Sequence, residues 1–201
     1  MRRCVIIIIT VLALFDFQRL PAQRWLPASP WHVRTNLVHD VLLVPNLGVE
    51  YELSDRWTVV ADASVAWWVS DRRQRRWGMM TGEVELRRWL GWRMMPPYND
   101  GGHHLGFYGA LYRYDLAWGG TGRQGDLNYG AGISYGYAIS LSGRLSRDLS
   151  IGIGYLGGRY VKYEADDNRY VKVAEGMNHY FGPTKLEATL VWHLSRQFGR
   201  W

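Results

Sequence analysis

The chain has 201 residues, 47% of them apolar and 21% charged, which suits one ordinary domain and excludes a disordered chain or a helical membrane protein. The formal charge of +6 falls to +4 once Arg2, Arg3, Arg19 and Asp16 leave with a leader, too small a surplus to indicate nucleic acid. Aromatics run to 11 Trp and 13 Tyr against 5 Phe, a bias toward rings that suit an apolar–aqueous boundary.

At the N-terminus, Arg2 and Arg3 precede the short apolar run "CVIIIITVLALF", and the small residue Ala22 follows it. This pattern predicts a secretory signal peptide over residues 1–22, leaving 23–201 as the mature domain. Asp16 and Arg19 interrupt the run before it reaches the roughly 20 residues of a spanning helix. The single cysteine, Cys4, precedes the apolar run, whereas a lipoprotein cysteine would follow it. The mature chain therefore has no disulfide, thiol nucleophile or thiolate metal site.

Beyond the leader, alternating stretches recur, each predicting a strand with two unlike faces. They are "HVRTNLV", "NLGVEYEL", "WTVVADASVAWW", "GEVELR", "HLGFYGALYRYDL", "LNYGAGISYGYAISLSGRL", "LSIGIGYLGGRYVKY" and "TKLEATLVWHL", eight in all. "LSDRW" and "LSRDL" read as tight links, with Ser and Asp favouring a turn. "SDRRQRRW", "AWGGTGRQGD" and "EADDNRYVKVAEGMNH" read as longer polar loops. Short links at one end and long loops at the other describe an all-β, eight-stranded up-and-down antiparallel transmembrane β-barrel. The long link "GWRMMPPYNDGGHH" falls at the short-link end, out of step with that scheme.

The faces can be assigned. Trp57 and Trp67 stand ten residues apart on one strand face, with small aliphatics between them. At ~3.3 Å per residue and a tilt near 45°, the rings are roughly 23 Å apart along the barrel axis. An outer-membrane barrel carries an apolar band about 25 Å tall with an aromatic girdle at each rim. A secreted β-sandwich has no reason to space its Trp residues so. Trp57, Trp67, Tyr135, Tyr137 and Trp192 are accordingly expected in a lipid-facing girdle, with the small and charged residues lining the lumen.

Eight strands leave an interior just wide enough to be filled by side chains. The expected lumenal charge network is Glu50, Glu52, Asp62, Glu83, Glu85, Arg87, Arg113, Asp115 and Glu187, with Arg87 and Arg113 neutralising nearby carboxylates. Arg72, Arg73, Arg75 and Arg76 form an Arg-rich loop able to grip phosphate or acidic polysaccharide.

"TNL…PNLGVE", "YGAGISYGY" and "FGPTK" together resemble a Bacteroidetes outer-membrane barrel family catalogued as domain of unknown function 3575. The resemblance covers essentially all of the chain after the leader. It implies a bacterial outer-membrane location and genes often beside those for fimbrial subunits, hence a part in surface assembly. It brings no catalytic residues. The Arg-rich loop, "RMMPPYNDGG" and the tail "SRQFGRW" depart from the family pattern, with Phe198 the expected end of the last strand and Trp201 the runner-up.

No phosphate loop, paired-His helix or zinc pattern is present, and the adjacent His103 and His104 would point to opposite strand faces, so no cofactor or metal is expected. "EADDN" is too short an acidic cluster for a calcium loop. The leading expectation is a non-enzymatic outer-membrane barrel, structural or accessory to surface assembly, fimbrial assembly included. Its expected partners are outer-membrane lipid with lipopolysaccharide and other envelope or fimbrial proteins. One alternative is a lipid-modifying enzyme using His39 with Asp40, or His179, beside a serine. The other is a ligand-binding surface barrel, which an open cavity at the outer loops would favour.

Overall fold

The computed structural model describes residues 28–54, 56–70, 75–90, 102–118, 121–142, 144–166 and 169–195. The alternating stretches form β1 (Ala28–Asn36), β2 (Asn46–Ser54), β3 (Trp57–Ser70), β4 (Arg75–Leu90), β5 (Gly102–Trp118), β6 (Thr121–Ser142), β7 (Leu145–Asp166) and β8 (Arg169–Ser195). A short helix, α1 (Leu37–Val41), follows β1. Each strand pairs antiparallel with the next, and β1 pairs with β8 to close the sheet into a barrel. Registered partners of Val33 run through Val49, Ala61, Val84, Gly109, Ala131 and Tyr155 to Phe181. Across the closing seam, however, Val33 meets Trp192. That stagger is the shear that tilts the strands and sets the barrel's bore.

Polarity is reversed relative to a soluble domain. Arg34 and Arg87 are 1% exposed and Glu85 and His104 0%, all inside. On the outer face, Ile133 is 61% exposed, Phe107 63% and Leu186 72%. Small inward residues make the filled interior possible. A Cβ on Gly136 would enter the His104 imidazole, and one on Gly132 would strike the Tyr108 phenol.

The ends differ from the sequence expectation in three places. The polar stretches read as long loops are largely strand: β4 begins at Arg75, β6 at Thr121 and β8 at Arg169, so three hairpins rise well beyond the rest of the wall. β-branched and aromatic residues such as Val161, Tyr163 and Val171 sustain the pairing there. The "LSRDL" turn falls earlier, between Ser142 and Leu145. Turning there keeps Leu149 and Ile151 outward and puts Asp148 and Ser150 inside, with Asp148 within reach of Arg87.

Third, "HVRTNLV" stops as a strand at Asn36, whose side chain accepts from the Val38 N–H at 3.0 Å and caps α1. Asn46 Oδ1 accepts from the Asn36 N–H at 2.6 Å, and Asn46 Nδ2 donates to Asp40 at 2.8 Å. Thr35 donates to the same carboxylate at 3.0 Å. The "TN…D…PN" pattern is thus a side-chain lock holding the β1–β2 link in a shape that strand periodicity cannot express.

Candidate functional site

The interior is organised around three cations. Arg87 lies 2.6 Å from Asp148, 2.8 Å from Glu85, 3.8 Å from Glu187 and 3.9 Å from Glu50. Arg34 reaches Glu187 at 3.1 Å, Asp62 at 3.3 Å and Glu50 at 3.7 Å, and donates to Thr189 at 3.1 Å. Lys185 binds Glu83, with Glu85 at 2.8 Å and Glu187 at 3.5 Å. His104 bonds the second oxygen of Asp148 at 2.9 Å, and Ser134 donates to Glu85. Every strand contributes, from Arg34 on β1 and Glu50 on β2 round to Lys185 and Glu187 on β8. The cluster is a cross-brace between all eight strands.

Aromatic side chains bound it. Below, toward the short-turn end, Trp89 packs on the His104 ring at 5.0 Å and donates to Thr58 at 2.9 Å. Above, the Tyr108 hydroxyl bonds Thr184, and Lys185 Nζ stands 5.1 Å from its ring centre. Carboxylate oxygens of Asp62, Glu83 and Glu187 come within 4.8 Å of one another, a spacing that could hold a metal. Lys185 and Arg34 already occupy those carboxylates, so fixed cations fill the role an ion would take.

Of the residues expected in the network, Glu50, Asp62, Glu83, Glu85, Arg87 and Glu187 meet in this cluster. Glu52 lies apart at the short-turn end, on His32 at 2.8 Å. Arg113 and Asp115 are corrections. Both share a strand face with the outward Leu105, Phe107 and Leu111, because β5 keeps an unbroken register with β4. Arg113 makes an exposed pair with Asp126 at 3.1 Å, and Asp115 takes bonds from Tyr163 and Arg76 on the upper hairpins. Polarity suggested the lumen, but parity puts both on the outer face, where they are held by charged and polar partners on the neighbouring strands. The sequence reading missed Arg34, Lys185, Asp148 and His104. Arg34 and Lys185 share parity with His32 and Glu187 and were recoverable; Asp148 was hidden in the presumed turn.

Below the cluster runs a chain of polar contacts: Ser146 Oγ to His193 Nε2 at 2.8 Å, His193 Nδ1 to His32 Nδ1 at 2.9 Å, and His32 Nε2 to Glu52 at 2.8 Å. One consistent tautomer set has each ring accept on one nitrogen and donate on the other. Ser146 is only 3% exposed. Of the groups singled out from sequence, Asp40 belongs to the β1–β2 lock, and His179 bonds the Tyr155 hydroxyl. Among the described residues, neither His39 nor His179 bonds a serine.

On the outer face, Trp57, Tyr137 and Trp192 stand near the short-turn end, where Trp31 packs on Tyr51 at 4.6 Å and His103 on Tyr137 at 4.5 Å. Trp67 lies ten residues up β3, and Tyr129 and Tyr155 pair at 6.3 Å in the same direction. Tyr135 sits one outward position further from the short-turn end than Tyr137, registered with Leu105 and Ile151. Arg75 and Arg76 open β4 rather than lie in a loop. Arg72 and Arg73, the signal peptide, residues 91–101, Asn168, Phe198 and Trp201 lie outside the described residues.

Residues 6–194 match the model of a family described as Protein of unknown function (DUF3575). The chain belongs to that family. Among curated proteins, none matches it. The matched span takes in all eight strands except Ser195 at the end of β8, so the charge cluster and the β1–β2 lock both fall inside the family's domain.

Proposed function

We propose that the chain is a non-enzymatic outer-membrane β-barrel with a plugged lumen, a structural or accessory component of the bacterial cell surface. The observation that carries this reading is the inverted polarity of the wall. Outward positions on β3 from Trp57 to Trp67 are aliphatic or aromatic, as are most on the neighbouring strands, while the buried charges are inside. In water, so large a continuous apolar surface would drive aggregation. In a bilayer it is the required lipid-facing band, and closing the sheet leaves no unpaired edge in hydrocarbon. The expected signal peptide would deliver the chain to that location.

A lumen cross-braced around the deeply buried Arg34, Glu85, Arg87 and His104 supports a scaffold rather than a diffusive pore. Accessory work in surface assembly, fimbrial assembly included, is the role left to a barrel of this kind, with lipopolysaccharide and other lipid at its wall. The test is outer-membrane fractionation of the full chain, electrophoresis with and without boiling, and conductance in planar bilayers. The expected result is co-fractionation, a heat-dependent mobility shift and no stepwise current. A soluble chain without a shift overturns the membrane reading, and stepwise current overturns the plugged lumen.

A second reading has one observation in its favour, the Ser146–His193–His32–Glu52 chain, which has the connectivity of an activated serine. Burial of Ser146 weighs against it. Covalent labelling of the folded protein by a fluorophosphonate, lost in Ser146→Ala, would establish it.

A further inference from the structure

Above Tyr108 the interior changes character. The inner faces of the tall hairpins border an open-sided cavity of about 1330 Å³, walled by Trp68, Trp77, Leu116 and Trp118. Cavities of roughly 300–1,000 Å³ hold drug-sized ligands, so this one is ample for an extended hydrocarbon chain. Leu42 and Leu43 of the β1–β2 link form its side nearest the wall.

Four cations line the same space, Arg75, Arg76, Arg123 and Lys162, of which Arg76 is already paired with Asp115 at 3.1 Å. The Arg75 guanidinium lies 3.7 Å from the Trp118 ring centre, and that of Arg123 lies 3.7 Å from the Tyr160 ring centre. Stacking holds a guanidinium by its face and leaves the in-plane N–H groups free to grip a carboxylate or similar oxyanion. Among the described residues, no carboxylate lies within ion-pair distance of either arginine. Lys162 has only Glu164, at 4.0 Å. Asp115 on β5 is taken up by Arg76 and by the Tyr163 hydroxyl.

The wall also opens beside this cavity. β2 pairs with β3 only as far as Ser64, and β1 with β8 only as far as Thr189. β3 runs on to Ser70, and β8 starts as early as Arg169. Above those levels α1 and the link after it stand between the two tall strands, with Val41 77% exposed.

We propose that the cavity binds a single-chain anionic amphiphile, its acidic head held by Arg75 and Arg123 and its hydrocarbon chain laid along Trp68, Trp77 and Trp118, with entry past Leu42 and Leu43. Aromatic walls without cations would fit a neutral lipid, and cations without the walls a soluble anion; the combination selects a molecule with both parts. This inference rests on the barrel and its mouth and does not need the membrane reading.

The experiment uses the full chain in phosphatidylcholine nanodiscs, with empty nanodiscs as background. Energy transfer from tryptophan to 11-(dansylamino)undecanoate is titrated, alongside the methyl ester of the same probe and competing inorganic phosphate. Saturable transfer above background is expected, weakened at least tenfold in the Arg75→Gln/Arg123→Gln double variant and for the ester, and unaffected by millimolar phosphate. Trp118→Leu should weaken both probes together. Unchanged far-ultraviolet circular dichroism and gel mobility identify variants that still fold. No saturable transfer, equal affinity for acid and ester, an unaffected double variant or displacement by phosphate alone overturns the proposal.

Discussion

The barrel holds its cations in two unlike settings. In the lower interior Arg34, Arg87 and Lys185 are surrounded by six carboxylates: Glu50, Asp62, Glu83, Glu85, Asp148 and Glu187. In the mouth Arg75 and Arg123 lie on aromatic rings. A guanidinium enclosed by carboxylates has its charge neutralised within the fold, whereas one stacked on a ring keeps its charge and its edge for something else. The same residue type is a brace in one region and a receptor in the other, and burial and partners decide which.

The comparison is most easily broken at Arg87. Its loss leaves Asp148, Glu85, Glu187 and Glu50 short of a counter-charge, so Arg87→Met should cost about 3–5 kcal/mol, read by reversible urea unfolding in a bilayer. Glu187→Gln should cost no more than about 1 kcal/mol, because carboxylates outnumber the fixed cations and the amide keeps a hydrogen bond. Equal costs would mean that the cluster is not limited by its cations.

The outer face comes next. Ile133→Arg places a charge on the middle of the belt and should cost roughly 2–4 kcal/mol in the same assay. Met177→Arg, on the exposed upper part of β8, should be nearly neutral. Inside, Gly136→Ala drives a methyl into His104 and toward the Leu149 carbonyl, a loss of about 1–3 kcal/mol from overpacking. Smallest of all, Arg123→Gln in the mouth should change stability by less than about 0.5 kcal/mol while weakening capture of the anionic probe.

Period-two patterning made the eight strands, the outward Trp57 and Trp67 and most of the lumenal acids legible, because burial against two unlike environments writes itself into alternate residues. It failed where alternation is not the controlling physics. The lock of Asn36, Asp40 and Asn46 works through side-chain hydrogen bonds across the β1–β2 link. Asp148 carries turn chemistry in its neighbours but a strand position in space. Arg113 and Asp115 had outward parity throughout, and only their charged and polar partners on the neighbouring strands explain why charge is tolerated there. The mouth cavity was the least legible feature, since Trp68, Trp77, Trp118 and Tyr160 come together only when the polar stretches between them stay paired as tall hairpins.

The central claim is that the outer belt meets hydrocarbon. Cys4, in the expected leader, is the chain's one cysteine, so single cysteines can be placed at Ala63, Phe107 and Ile133 on the belt and at Met177 above it. In folded protein embedded in a bilayer, the belt positions should resist a membrane-impermeant maleimide and, labelled with bimane before reconstitution, be quenched by spin-labelled acyl chains. Met177 should react readily and escape quenching. Belt cysteines that react with the maleimide as fast as Met177 would contradict the account.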